Sequence, residues 1–220
     1  MKTVTQRCMT AGLILGFLAA PFLSAAKDFA ESEEKVLALA KAAISLRSVR
    51  GVDNQTPAVA ALFRDALLNG GWSNEDIDIV PLDDTAYFIA TWPGSDPSLG
   101  PIVISAHMDV VEAKREDWER DPFQPVVENG YLYGRGASDT KFDAAQALIA
   151  MIELRGQGFK PRRTIIAAFS GDEETTMHSS KLIAHRLRDA ALVLNVDGAS
   201  GVLDEETGRP SYWSWQGAEK

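Results

Sequence analysis

The sequence predicts an α/β fold: a three-layer α/β/α sandwich around a mostly parallel sheet. Three observations carry that expectation. Short continuous apolar runs alternate with helical-period stretches between residues 77 and 196. The runs are brief and rich in Val, Ile, Phe and Ala, as strands buried on both faces are. Acidic or imidazole residues recur just after or near the ends of these runs: His107-Met108-Asp109, Asp139, Asp172-Glu173-Glu174 and Asp197-Gly198. Parallel strands deliver their C-terminal ends to one sheet edge, so residues distant in sequence can meet there.

The elements follow in order. Lys2 and Arg7 precede a mostly apolar, uncharged stretch from Met9 to Leu23, and Ser24-Ala25-Ala26 offers small residues for cleavage. The stretch is short for a membrane span. Residues 1–26 are therefore expected to be a signal peptide cleaved after Ala26, in preference to an uncleaved anchor. The remainder, 27–220, is expected in the periplasm or medium, with no stable membrane insertion. Cys8 is the only cysteine, so the processed chain has no disulfide. Processing removes two cations and no anion, taking the formal charge from −9 to −11.

Ser32 is placed to cap a helix from Glu33 to about Leu46, with a stripe of Val36, Leu37, Ala40, Ala43 and Ile44. Thr56 as N-cap, Pro57 at the first helical position and Gly70-Gly71 at the end predict a second helix. Ile77 to Val80 and Ala86 to Thr91 read as strands, and Pro93 to Pro97 as a turn. Ile102 to Ala106 is a short apolar strand ending at His107, and residues 112–130 read as a long polar loop. A helix is predicted from Lys141 to about Leu154, a strand over Thr164 to Phe169, a helix over Ser180 to Arg188 and a strand over Ala191 to Val196. Strand–helix–strand–helix–strand predicts parallel neighbours, right-handed crossovers and helices on both faces. Tyr212 to Gln216 alternates large and small residues like a half-buried strand, and the sheet is expected to be incomplete at the C-terminal end.

With 45% hydrophobic residues the composition is globular, and an acidic surplus argues against a nucleic-acid partner, which needs a basic face. One His, several carboxylates and no nearby cysteine favour a hydrolytic zinc-type centre over a thiolate or redox site. His107 can bind a metal through one ring nitrogen while a carboxylate such as Asp109 holds the other N–H. Asp139 follows the glycine-bearing run Tyr133 to Ser138 and opens a helix. It reads either as a helix cap or as a carboxylate bridging two metals, and spacing alone does not decide. Three consecutive acids at 172–174 repel one another unless cations compensate. Adjacent residues point different ways, so one can ligate while another acts as general base. Asp197 supplies a further anionic ligand at the same edge, while His178 and His185 lack such company and read as surface or structural.

The blocks Ser105 to Val111, Tyr131 to Asp139 and Gly171 to Glu174 resemble the signatures of one family. It is the co-catalytic zinc metallopeptidase family of acetylornithine deacetylase, succinyl-diaminopimelate desuccinylase, aminoacylase-1 and glutamate carboxypeptidase. Trp118, Asp121-Pro122-Phe123 and Pro125 fit the stretch this family places between the first two blocks, and the likeness covers roughly residues 32–220. The resemblance implies a two-zinc site, with cobalt or manganese as substitutes. His107 and Asp197 would hold one zinc, Glu174 the other, and Asp139 would bridge them. Glu173 would be the general base and Asp109 the orienter of His107. The reaction implied is hydrolysis of a small peptide or an N-acyl amino acid.

Departures from the family pattern fall at Phe142-Asp143 and Thr175-Thr176-Met177, where glycine is usual. Asp rather than Glu at 197 tilts the expectation toward peptides. In the family, a lid and dimerisation domain and a final ligating His follow, whereas no His follows His185 here. The chain is thus expected to be the front part of such an enzyme, weak or inactive alone, and a homodimer only with the lid. The alternative is a non-catalytic relic, or an exported binding module that keeps the fold.

Overall fold

The computed structural model describes the backbone of residues 20–197, 201–203, 207, 210–213 and 216–219, and the side chains of 30–197 and 207. Its helices are α1 (Ala20–Ile44), α2 (Thr56–Asn69), α3 (Lys141–Gly156) and α4 (His178–Arg186). Its strands are β1 (Ile77–Leu82), β2 (Thr85–Trp92), β3 (Ile102–His107), β4 (Val126–Glu128), β5 (Tyr131–Tyr133), β6 (Ile165–Ser170), β7 (Leu192–Asn195), β8 (Gly201–Leu203), β9 (Pro210–Trp213) and β10 (Gln216–Glu219).

Six strands form the main sheet in the order β1-β2-β6-β3-β7-β10. β3 pairs in parallel with both β6 and β7, while β2 runs antiparallel to β6 and β10 antiparallel to β7. β1 is antiparallel to β2, so four of the six strands point the same way. The chain moves from β3 through α3 to β6 on one side, then through α4 back past β3 to β7. The reversal leaves β3 between β6 and β7, so those two strands are not neighbours as simple succession would have them. It also opens a crevice at the C-terminal ends of the three parallel strands, where α/β sheets bind ligands.

Period-2 alternation sorts the side chains of β2 and β6 between two cores. Phe88, Ala90, Ala167 and Phe169 face a cluster built with Ala40, Val59, Phe63 and Leu148 from α1, α2 and α3. Tyr87, Ile89, Ile166 and Ala168 face the other side, against Ile183 and Leu187 near α4. Phe63 stands edge-on to Phe169 with centroids 5.8 Å apart, and Phe88 stacks on Phe169 at 5.7 Å. Such aromatic pairs contribute about 0.5–1.5 kcal/mol each beyond their buried area. They pin β6, and hence the acidic turn that follows it, against α2.

The sequence-based boundaries differ in four places. α1 begins at Ala20, so Ser32 lies inside the helix; Pro21 falls in the first turn, where proline is tolerated, and the run from Phe22 to Ser32 has no glycine or proline to stop the helix. At α2 the cap is Gln55, and the side chain of Asn54 accepts from the N–H and hydroxyl of Thr56 at 3.0 and 2.7 Å. The end of the supposed loop 112–130 is strand β4, paired with β5 across Asn129-Gly130. Both turn residues have positive φ, 53° and 82°, the backbone that Asn-Gly favours in a two-residue hairpin. Finally, Tyr212 to Gln216 is not one strand. β9 pairs with β8 and β10 with β7, while Ser214 and Trp215 lie outside the described residues.

Candidate metal centre

Register brings the candidate residues together. His107, the last residue of β3, lies level with Ser170, the last of β6, and Ser105 lies level with Asn195, the last of β7. The Met108 N–H donates to Ser170 O at 2.8 Å and the Val196 N–H to Ser105 O at 3.0 Å, so both exits are held at the crevice. The segment behind them is braced by Ser48, whose hydroxyl donates to Met108 O at 2.7 Å and whose carbonyl accepts from Val110 N–H at 3.0 Å. Ser48 carried no chemical signal in the sequence.

Asp109 joins two loops. It is 3% exposed, and its two carboxylate oxygens accept the backbone N–H groups of Glu173 and Glu174, each at 3.0 Å. Its backbone carbonyl lies 2.9 Å from Nδ1 of His107, with the carboxylate farther off at 3.5 Å. The ring is thus oriented by the Asp109 main chain, whose carbonyl can only accept and so places the proton on Nδ1. Nε2 then faces Asp139 Oδ1 at 2.8 Å and Asp197 Oδ2 at 3.7 Å.

The glycine-bearing block delivers Asp139. Gly136 has φ 99°, and a Cβ there would come 2.9 Å from Cδ of Lys141, so both backbone and packing require glycine. Lys141 has no exposed surface; its ammonium donates to Ala43 O and Leu46 O at 2.9 and 2.7 Å, tying α3 to the end of α1. Burial pushes its pKa down to about 7, against the opposing charge of Asp109. The helix cap is Thr140, not Asp139, so the Asp139 side chain is left to face His107; the Asp139–Thr140 bond is cis. Arg135 lies over the Trp118 ring at 5.3 Å, which explains the tryptophan in that loop.

The acidic triplet divides its work. Asp172 accepts from the N–H groups of His178 and Ser179 at 2.8 and 2.9 Å, and from the hydroxyls of Thr176 and Ser179, at the start of α4. Burial pushes its pKa up, but these hydrogen bonds outweigh burial and hold it below the usual range. Glu173 and Glu174, fixed at their N–H groups by Asp109, both have raised pKa values. Burial is the main cause for each, with nearby carboxylates adding and His107 opposing. His178 and His185 are exposed and take no part.

Two donor groups result: His107 with Asp139 and Glu174, and His107 with Glu173 and Asp197. In each group the ligand atoms all lie within 4.8 Å of one another. One imidazole amid hard carboxylate oxygens suits zinc, manganese or cobalt and offers no soft thiolate. Burial lowers the pKa of His107, but Asp109 and then Asp197 outweigh it and raise the ring to about 9. A site that draws positive charge onto its only imidazole fits a cation.

An α/β sandwich with metal donors clustered at the C-terminal ends of its parallel strands has the make-up of a metal-dependent enzyme. The chain belongs to peptidase family M20/M25/M40, whose model matches residues 103–213. It is 31% identical to aminoacylase-1 of Homo sapiens over 183 residues, 82% of this chain and 43% of that protein. Its fold is that of the di-peptidase Dug1p from Saccharomyces cerevisiae (TM-score 0.65, 17% identity, 81% of this chain and 41% of that one). It is likewise that of the metallo-carboxypeptidase Sso-CP2 from Sulfolobus solfataricus (TM-score 0.63, 20% identity, 80% and 39%). The chain therefore spans less than half the length of these relatives.

Proposed function

We propose that this chain forms the metal-holding part of an exported two-zinc hydrolase that cleaves a peptide or N-acyl amino-acid amide bond. The observation that carries the reading is the meeting of Asp139 and Asp197 at one nitrogen of His107. His107 and Asp197 would hold one ion, Glu174 the other, and Asp139 both. Two bound zinc ions would supply Lewis acidity to polarise the scissile carbonyl and acidify water. Glu173 takes a proton from the attacking water and passes it to the departing amine nitrogen; partial burial raises its pKa, which makes the carboxylate a stronger base than a solvated one. Asp109 keeps His107 and both glutamates in place while protons move.

The reading is tested by zinc titration of the purified chain, with turnover measured on dipeptides and N-acetyl amino acids. His107→Ala and Glu174→Gln should each weaken zinc binding by at least about tenfold. Glu173→Gln should spare zinc content and reduce any turnover by about a hundredfold or more. Turnover of the 220-residue chain should itself be weak, because the ion held by Asp139 and Glu174 would have only two side-chain ligands among the described residues, fewer than the three that a catalytic zinc usually has. A wild-type chain that takes up no zinc would overturn the reading.

Export rests on Lys2, Arg7, the apolar stretch Met9 to Leu23 and Ser24-Ala25-Ala26. N-terminal sequencing of the protein recovered outside the cytoplasm should start at Lys27, and recovery only in the cytoplasm with Met1 intact would refute it.

A further inference from the structure

Asp143 lies in the first turn of α3, four residues beyond Asp139 and next to Phe142, which follows Lys141. It is half-buried, and its Oδ2 accepts a hydrogen bond from Thr140 Oγ1 at 3.2 Å. Thr140 has no exposed surface and links Asp139 to the helix. No ion pair involves Asp143 among the described residues. Neither donor group includes it, so it does not itself reach an ion placed there. Burial raises its pKa despite the Thr140 hydrogen bond, and the charges of Asp197 and Asp139 raise it further. A half-buried carboxylate joined through Thr140 to the segment that carries Asp139, and without an ion pair among the described residues, is unfavourable unless positive charge arrives from outside.

We infer that Asp143 is a positioning residue of the cation site: its charge strengthens ion binding at His107, Asp139 and Asp197, and its hydrogen bond steadies the Thr140 link that presents Asp139. The inference rests on the metal-centre reading above. It separates two roles that one acid in a helix's first turn could fill. A carboxylate kept only to favour the helix N-terminus stabilises the protein with or without metal. A carboxylate kept for the ion burdens the metal-free protein and is compensated only when the ion binds.

The test is calorimetric titration with zinc alone, together with metal-free thermal midpoints, on the wild-type chain and three variants. Asp143→Asn should bind zinc about tenfold more weakly and show a metal-free midpoint equal to or above wild type. Asp143→Glu, which keeps the charge, should bind zinc more tightly than Asp143→Asn. The exposed control Asp65→Asn should leave zinc affinity unchanged. Unchanged affinity in Asp143→Asn overturns the inference and leaves the metal-centre reading standing. So does a lowered metal-free midpoint, or failure to fold without zinc, since either assigns Asp143 to the helix terminus. Absence of zinc uptake by wild type overturns both.

Discussion

Asp109→Ala should lower the unfolding free energy by about 3 kcal/mol and weaken zinc binding by about a hundredfold. The carboxylate is buried and its two oxygens are the acceptors for Glu173 and Glu174 N–H. Leaving each N–H without its partner costs about 1–3 kcal/mol. Removing a negative charge from an acidic cluster relieves some repulsion, but His107 and Lys141 both feel Asp109 as an attractive neighbour, so the relief is partial. The loss of hydrogen bonds therefore dominates. Asp109→Asn is an informative companion. It keeps one acceptor but turns the other oxygen into an NH2 that faces a backbone donor, so it should recover only about half the loss. Urea denaturation at constant m, with zinc titration on the same samples, measures both effects; an Ala variant as stable as wild type would show that the clamp contributes nothing.

Gly171→Ala should destabilise by about 3 kcal/mol or more and lower the melting midpoint by roughly 6–12 °C. Glycine-to-alanine changes at compatible sites usually stabilise by about 0.4–1 kcal/mol through the unfolded chain. Here the added methyl would collide with the backbone carbonyl of Ala86 and the hydroxyl of Thr85 in β2. That carbonyl cannot swing away, because β2 is held between β1 and β6. Gly171 is clamped from both sides: its carbonyl accepts from the Thr85 hydroxyl and its N–H donates to Ser179 Oγ at 3.0 Å. Displacing it moves Glu173 and Glu174, so zinc uptake should fall with stability. Thermal denaturation read beside zinc content checks this, and a raised midpoint would mean that β2 yields.

The sheet was legible because its strands are short apolar runs with period-2 partition, and β2, β3 and β6 fall within two residues of where the sequence put them. The convergence of His107, Glu173, Glu174 and Asp197 was legible as well, because strands of one direction carry their ends to one rim; Asp139 instead arrives from the segment before α3, which no strand end supplies. Less could be read where the physics is non-local. That β7 lies beside β3 and not beside β6 follows from which face α4 covers, which no local pattern encodes. The division of labour among Asp172, Glu173 and Glu174 depends on where α4 begins. Ser48 acts through a contact sixty residues away in the chain and looks like any loop serine. Asn129-Gly130 is different. Its hairpin signal was present in the sequence and was outweighed by the polarity of the surrounding loop. Asp143 was visible only as a departure from a pattern, and its weight emerges once the Thr140 hydrogen bond ties it to the segment that carries Asp139.

The fork made by Asp109 has a consequence for selectivity. Because one buried group grips consecutive amides on a separate loop, the cradle keeps its shape before any guest arrives. Loading then requires little ordering of the chain, and discrimination among ions of unequal radius falls to a fixed aperture more than to induced adaptation.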